Sequence, residues 1–158
     1  MRSNLRLDFS FRYSIYGVFA VLFLTGAAWF VADGLKDSSN GEMWQAVSAN
    51  LLMLHGGAAM MALMALGALI PIHVLKAWRV KKNRVTGTVI ASLNGILIVT
   101  AFGLYYLGSE VFRPWLSGIH LALGSALPVF LGVHIYWGRR TIVRPAKASM
   151  AKVPMKLA

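Results

Sequence analysis

The chain has 158 residues, of which 58% are hydrophobic and only 13% charged, a composition far from that of soluble proteins and typical of a membrane protein. It contains no cysteine, which excludes disulfides, thiolate metal sites, cysteine-bound iron–sulfur clusters and attachment of a haem through Cys-x-x-Cys-His. The formal net charge is +11, yet the basic residues gather in Lys76–Arg84 and in the tail from Arg139 to Lys156, where topology and anionic lipid call for them. Nothing beyond charge points to nucleic acid, and none is expected as a partner.

Four apolar stretches are long enough to span a bilayer, and the first runs from Ser14 to Ala32. Arg2, Arg6 and Arg12 precede it like the charged start of a signal peptide, but its apolar run is too long and lacks a convincing cleavage site, so a retained helix is expected. The others are Asn50–Ile72, Thr86–Leu107 and Leu116–Trp137. Residues 1–140 thus read as a single all-α domain, a four-helix transmembrane bundle. Residues 141–158, with Pro145, Pro154 and scattered lysines, read as a basic disordered tail.

Charge sets the expected orientation. The segments before span one, between spans two and three and after span four hold 14 of the 16 Lys and Arg residues, and such segments face the cytoplasm. The two remaining loops carry Asp33, Asp37, Glu42 and Glu110 against only Lys36 and Arg113. Both termini are therefore expected inside, on the cytoplasmic side of the membrane.

The four histidines fall in pairs on two spans, His55 with His73 on the second and His120 with His134 on the fourth. At about 100° per residue, 18 positions return to one helix face and 14 positions miss it by only about 40°. The members of each pair lie about 27 Å and about 21 Å apart along the axis, comparable to the apolar thickness of a bilayer. Spans two and four run in the same direction under the charge rule, so depth matches His55 with His120 and His73 with His134.

Neutral imidazoles in apolar surroundings need partners, and polar groups inside spans are costly and usually functional. Two imidazoles from facing helices can fill both axial positions of a haem iron, with the porphyrin among apolar side chains, and bundle cores commonly build cofactor sites in this way. The sequence therefore leads to two b-type haems, at least one, held between spans two and four with His55, His120, His73 and His134 as iron ligands. Gly56, Gly57, Ala58 and Ala59 after His55, Gly67 between the ligands, and Gly118, Gly124 and Gly132 around the second pair leave room for a macrocycle or for close helix packing.

Haem propionates want cations near the membrane surfaces. Arg113 is the expected cofactor-binding cation outside, since topology does not ask for it there; Lys76, Arg79, Arg84, Arg139 and Arg140 are available inside. Met53, Met60, Met61 and Met64 read as apolar filler. The two ligand spacings differ by about 6 Å of helix rise, and a bend at Pro71 or at Pro128, a greater tilt of span two or tilted haem planes are expected to absorb the difference; otherwise His73 is an interfacial histidine and only the outer haem exists.

These residues give the chain a resemblance to the small four-helix membrane cytochromes b of the cytochrome b-561 type and its bacterial relatives, which implies the cytoplasmic membrane of a bacterium as its location. The likeness is carried by Leu54-His55-Gly56-Gly57-Ala58-Ala59-Met60, by Ile70-Pro71-Ile72-His73 leading into a basic loop, and by Gly103 to Glu110. Arg113-Pro114-Trp115, Ile119-His120 and Val133-His134 complete it, so that it covers roughly residues 50–140. The spacing of His120 and His134 is also similar to that in the large cytochrome b of quinol–cytochrome c oxidoreductases.

The resemblance implies electron transfer through two haems, between a quinone pool and a partner redox protein such as a periplasmic cytochrome c or a dehydrogenase. It makes the chain an electron-transfer subunit of an oxidoreductase complex, with no catalytic residues of its own. Tyr105, Tyr106, Trp115 and Glu110 lie where a quinone or docking role would place them, although aromatic residues there also serve as interfacial anchors. The alternative is a haem-free membrane anchor for a redox or other partner. A transporter using histidines for protons or metal is disfavoured by the absence of any carboxylate within the spans.

Overall fold

In the computed structural model the described residues are 7–81 and 83–143, with side chains described as far as Arg140. Among them the chain is entirely helical, running α1 (Phe9–Gly34), α2 (Gly41–Leu69), a π-helical turn (Ile70–Val74), α3 (Leu75–Arg79), α4 (Arg84–Tyr106) and α5 (Phe112–Val143). The turn and α3 continue α2 into a rod of 39 residues, so four helical rods are long and apolar enough to cross a membrane. The chain is a multi-pass membrane protein.

Three of the four rods outrun their apolar stretch at both ends, while α4 starts two residues early and ends at Tyr106, one short of Leu107. α1 begins at Phe9 rather than near Ser14, and α2 at Gly41, nine residues before Asn50. Apolar length marks only the part that must meet lipid, whereas the backbone stays helical until a turn residue stops it. α5 likewise continues to Val143, three residues into the stretch read as tail. The rest of that tail, residues 144–158, lies outside the described residues.

Few side chains are enclosed. Ile15, Ala32, Ala62 and Leu127 are the buried apolar residues, and most large apolar residues face outward, Met53, Met60 and Val99 among them. Lipid is as apolar as leucine, so a membrane bundle packs through small residues and polar contacts and needs no thick apolar core. α1 packs along α2 and α4 along α5, and α1 also touches α5, whereas α2 and α5 show no backbone approach of that extent. The two histidine-bearing helices thus stand apart.

The connections are short and locally specified. The Arg84 guanidinium donates to the Trp78 carbonyl at 3.1 and 2.7 Å and lies over the Trp78 ring at 4.8 Å, which caps the carbonyl end of α3. Lys81 and Asn83 adopt left-handed backbone at φ 55° and 50° to turn the chain into α4. At the other end of the bundle, a Cβ on Gly41 would fall on the Lys36 carbonyl oxygen. That neighbour is backbone and has no rotamer to escape into. Gly41→Ala should therefore destabilise the α1–α2 hairpin by about 1–3 kcal/mol, read as a lower thermal midpoint by circular dichroism; an unchanged midpoint would contradict the contact.

Pro71 lacks the N–H that would bond the Gly67 carbonyl, and it sits at the start of the π turn that contains His73. Such turns occur inside α-helices as local widenings, frequently at functional sites. Each residue of a wider turn advances the chain less and rotates it by less than 100°. Over the 18 positions from His55 to His73 the rod therefore falls short of five full turns, as the 14 positions from His120 to His134 fall short of four. α5 passes Pro128 as one helix, so the adjustment in helix type lies in the longer-spaced rod.

Candidate functional site

The structure brings the four imidazoles together two by two. His55 and His120 have ring centroids 6.3 Å apart with planes at 79°, and His73 and His134 are 6.4 Å apart at 81°. All four rings are half-buried. The pairs bridge the space between α2 and α5, one near the Arg113 end of the bundle and one near the Lys76 end. Among the described residues no three His, Asp or Glu side chains converge as a metal-binding group; the imidazoles work as pairs.

Three rings are held from a neighbouring helix by a threonine. Thr25 Oγ1 on α1 lies 3.1 Å from His55 Nδ1 and 2.7 Å from the Val21 carbonyl oxygen. On α4, Thr100 Oγ1 lies 2.8 Å from His120 Nδ1 and 2.9 Å from the Ile96 carbonyl oxygen. Thr86 Oγ1 lies 2.9 Å from His134 Nδ1 and 3.3 Å from the Asn83 carbonyl oxygen. A hydroxyl that bonds back to its own helix leaves no polar group facing lipid, which is how threonine is accommodated inside a span.

The sequence reading did not single out these threonines. Thr86 and Thr100 are 14 positions apart, as are His120 and His134. On antiparallel neighbours, equal spacing places Thr100 level with His120 and Thr86 level with His134. A second signal is the Thr-Gly dipeptide, which occurs as Thr25-Gly26 beside His55 and as Thr86-Gly87 beside His134. A Cβ on Gly26 would come within 3.1 Å of His55 Cε1, and one on Gly87 within 3.9 Å of His134 Cε1.

The glycines expected to let helices pack closely divide differently in space. A Cβ at Gly56, Gly57, Gly67, Gly118 or Gly132 would meet nothing within 4 Å, whereas one at Gly124 would touch Leu97. Close approach to an imidazole is made from α1 and α4, by glycines outside the histidine helices. Proximity in sequence to a histidine is therefore a poor guide, because residues next to a helical position point to other faces.

Arg113 lies in the first turn of α5, exposed, seven positions before His120 and on nearly the same helix face. Of the cations at the other end, Arg84 is engaged with Trp78, and the Arg140 guanidinium lies 4.5 Å from the Tyr136 ring centroid. Lys76, Arg79 and Arg139 are exposed. Tyr105, Tyr106 and Trp115 are 86%, 73% and 72% exposed, so their rings point out of the bundle as interfacial anchors do. An open cleft of about 450 Å³ lies at this end between α1 and α5, lined by Trp29, Phe30, Asp33, Gly34, Ser117 and Leu121 among others.

Comparison of the chain with protein-family models, with curated proteins and with solved structures finds no match in any of the three.

Proposed function

We propose that the chain is a b-type cytochrome of the cytochrome b-561 kind, a membrane electron-transfer subunit with two bis-histidine haems. His55 and His120 hold one iron, His73 and His134 the other. The observation that carries this reading is the ring separation of 6.3 and 6.4 Å. Two metal–nitrogen bonds of about 2 Å, each extended by roughly 1 Å from nitrogen to ring centre, span about 6 Å between centroids. The same separation recurs at both depths, at 79° and 81° between the ring planes.

A haem held by His55 with His120, or by His73 with His134, would supply reversible one-electron transfer there. The chain's own residues do the rest. Thr25, Thr100 and Thr86 orient three of the imidazoles, Gly26 leaves the space that the His55 ring occupies, and the apolar helices keep water away. Arg113 is suited to a propionate near His120. The charge rule puts both termini in the cytoplasm, and the resemblance to the cytochromes b-561 supports passage of electrons, in a bacterial cytoplasmic membrane, between the quinone pool and a redox partner such as a periplasmic cytochrome c or a dehydrogenase. The chain is a subunit of such an oxidoreductase complex rather than an enzyme by itself.

The direct test is the pyridine haemochrome spectrum of the purified full-length chain. About two b-type haems per chain are expected. Protein that takes up no haem during expression or on titration would leave the other reading, a haem-free membrane anchor for a partner.

A further inference from the structure

The threonines do more than occupy space beside the rings. A threonine hydroxyl has a single hydrogen, and each of these hydroxyls faces a backbone carbonyl, which can only accept, and a ring nitrogen, which can do either. Thr100 Oγ1 lies 2.9 and 3.0 Å from the carbonyls of Ile96 and Leu97, and Thr25 Oγ1 lies 2.7 and 3.1 Å from those of Val21 and Leu22. With its hydrogen turned to its own helix, the hydroxyl has only lone pairs left for the imidazole. We infer that Thr25, Thr86 and Thr100 are positioning residues that hold His55, His134 and His120 in the Nδ1–H tautomer, leaving Nε2 as the bare nitrogen of each ring.

The opposite arrangement is worse on two counts. If the hydroxyl donated to Nδ1, the proton would sit on Nε2, and His55 and His120 would each carry an N–H across from the other ring, which lies 6.3 Å away centre to centre. Two donors facing each other in an apolar space leave both unmade, and an orphaned donor is costlier than an under-used acceptor. In the assigned tautomer every N–H of this pair meets a threonine oxygen, and only lone pairs remain.

The inference concerns the free chain; its consequence for cofactor binding rests on the axial-ligand reading above. A metal ligand needs a bare nitrogen, and the hydrogen bond at the other nitrogen selects which one is bare. A hydroxyl acceptor does this without the charge of a carboxylate, which would be expensive within the bilayer. The ligand is thereby kept a neutral imidazole.

The tautomer is read directly from 15N spectra of histidine-labelled full-length chain in lipid nanodiscs without added haem, since protonated and bare ring nitrogens differ widely in shift. His55, His120 and His134 are expected to show a protonated Nδ1 and a bare Nε2. Thr100→Val keeps the shape and removes the acceptor, and should release only His120 into a tautomer mixture; Thr100→Ser should restore the wild-type pattern. Thr86→Val provides the same test at His134 should the first variant fold poorly. A protonated Nε2 in the wild type, or no change on either valine substitution, would overturn the assignment. In haem titrations the valine variants should bind about 10–100-fold more weakly and the serine variants almost normally. A chain with the assigned tautomers that nonetheless takes up no haem would support this inference and refute the cofactor reading alone.

Discussion

His120→Ala and His55→Ala should abolish the same low-spin haem signal, and His73→Ala and His134→Ala the other. The expectation follows from how the rings are partnered. Each imidazole lies beside one other, at 6.3 or 6.4 Å between centroids, and under the proposed reading removing either member of a pair would leave a haem iron held there one protein ligand short. Each single variant should therefore lose about half of the low-spin haem, read by electron paramagnetic resonance and by the pyridine haemochrome content. The double variant His55→Ala with His120→Ala should lose no more than either single one, whereas His55→Ala with His134→Ala should lose both signals.

The ring planes add a spectroscopic detail. At 79° and 81° the two rings of each pair are almost perpendicular, an arrangement that would keep the two iron orbitals overlapping their π systems close in energy if the pair held a haem. Strongly anisotropic low-spin signals are expected from both sites. Four variants each removing a quarter of the haem, or His55→Ala and His73→Ala removing the same signal, would refute the pairing.

Gly26→Val should weaken haem binding at the His55–His120 site and spare the other, although residue 26 is on a helix without histidines. A Cβ there comes within 3.1 Å of His55 Cε1 and 3.3 Å of Nδ1. Alanine requires the ring to give by a few tenths of an ångström, while the branched valine forces it away and breaks the contact with Thr25 Oγ1. Overpacking of this kind costs about 1–3 kcal/mol, equivalent to a loss of about 5- to 150-fold in affinity at that site. Gly17→Val on the same helix, where a Cβ would meet nothing within 4 Å, should leave both haems in place. Equal behaviour of the two variants would show that the fit around His55 does not govern binding.

Much of this arrangement is legible along the chain. The spans follow from apolar runs, which are unambiguous because lipid admits no unpaired backbone. The level matching of His55 with His120 and of His73 with His134 follows from charge and helix geometry, and the rings lie side by side in that order. The unequal spacing was harder to interpret. Pro71 marked the place of adjustment, but a missing N–H is compatible with a bend, a tilt or a wider turn. Only the packed rod shows that the helix widens there into a π turn, with His73 inside.

The supports of the site were least visible. Thr25, Thr86 and Thr100 are common residues in spans, and Gly26 is one of 15 glycines. Their importance depends on which helix lies beside which, and the apolar pattern of a membrane helix says little about this when lipid and protein neighbours are equally apolar. By itself, then, the sequence determined the number of spans, the pairing of histidines by depth and the chemistry those residue types can perform. The tertiary structure decided the neighbours, placing α1 against α2 and α4 against α5, and so which hydroxyl meets which imidazole. Side-chain hydrogen bonds act over about 3 Å, and residues 30 or 48 positions apart reach that distance only when the helices are packed.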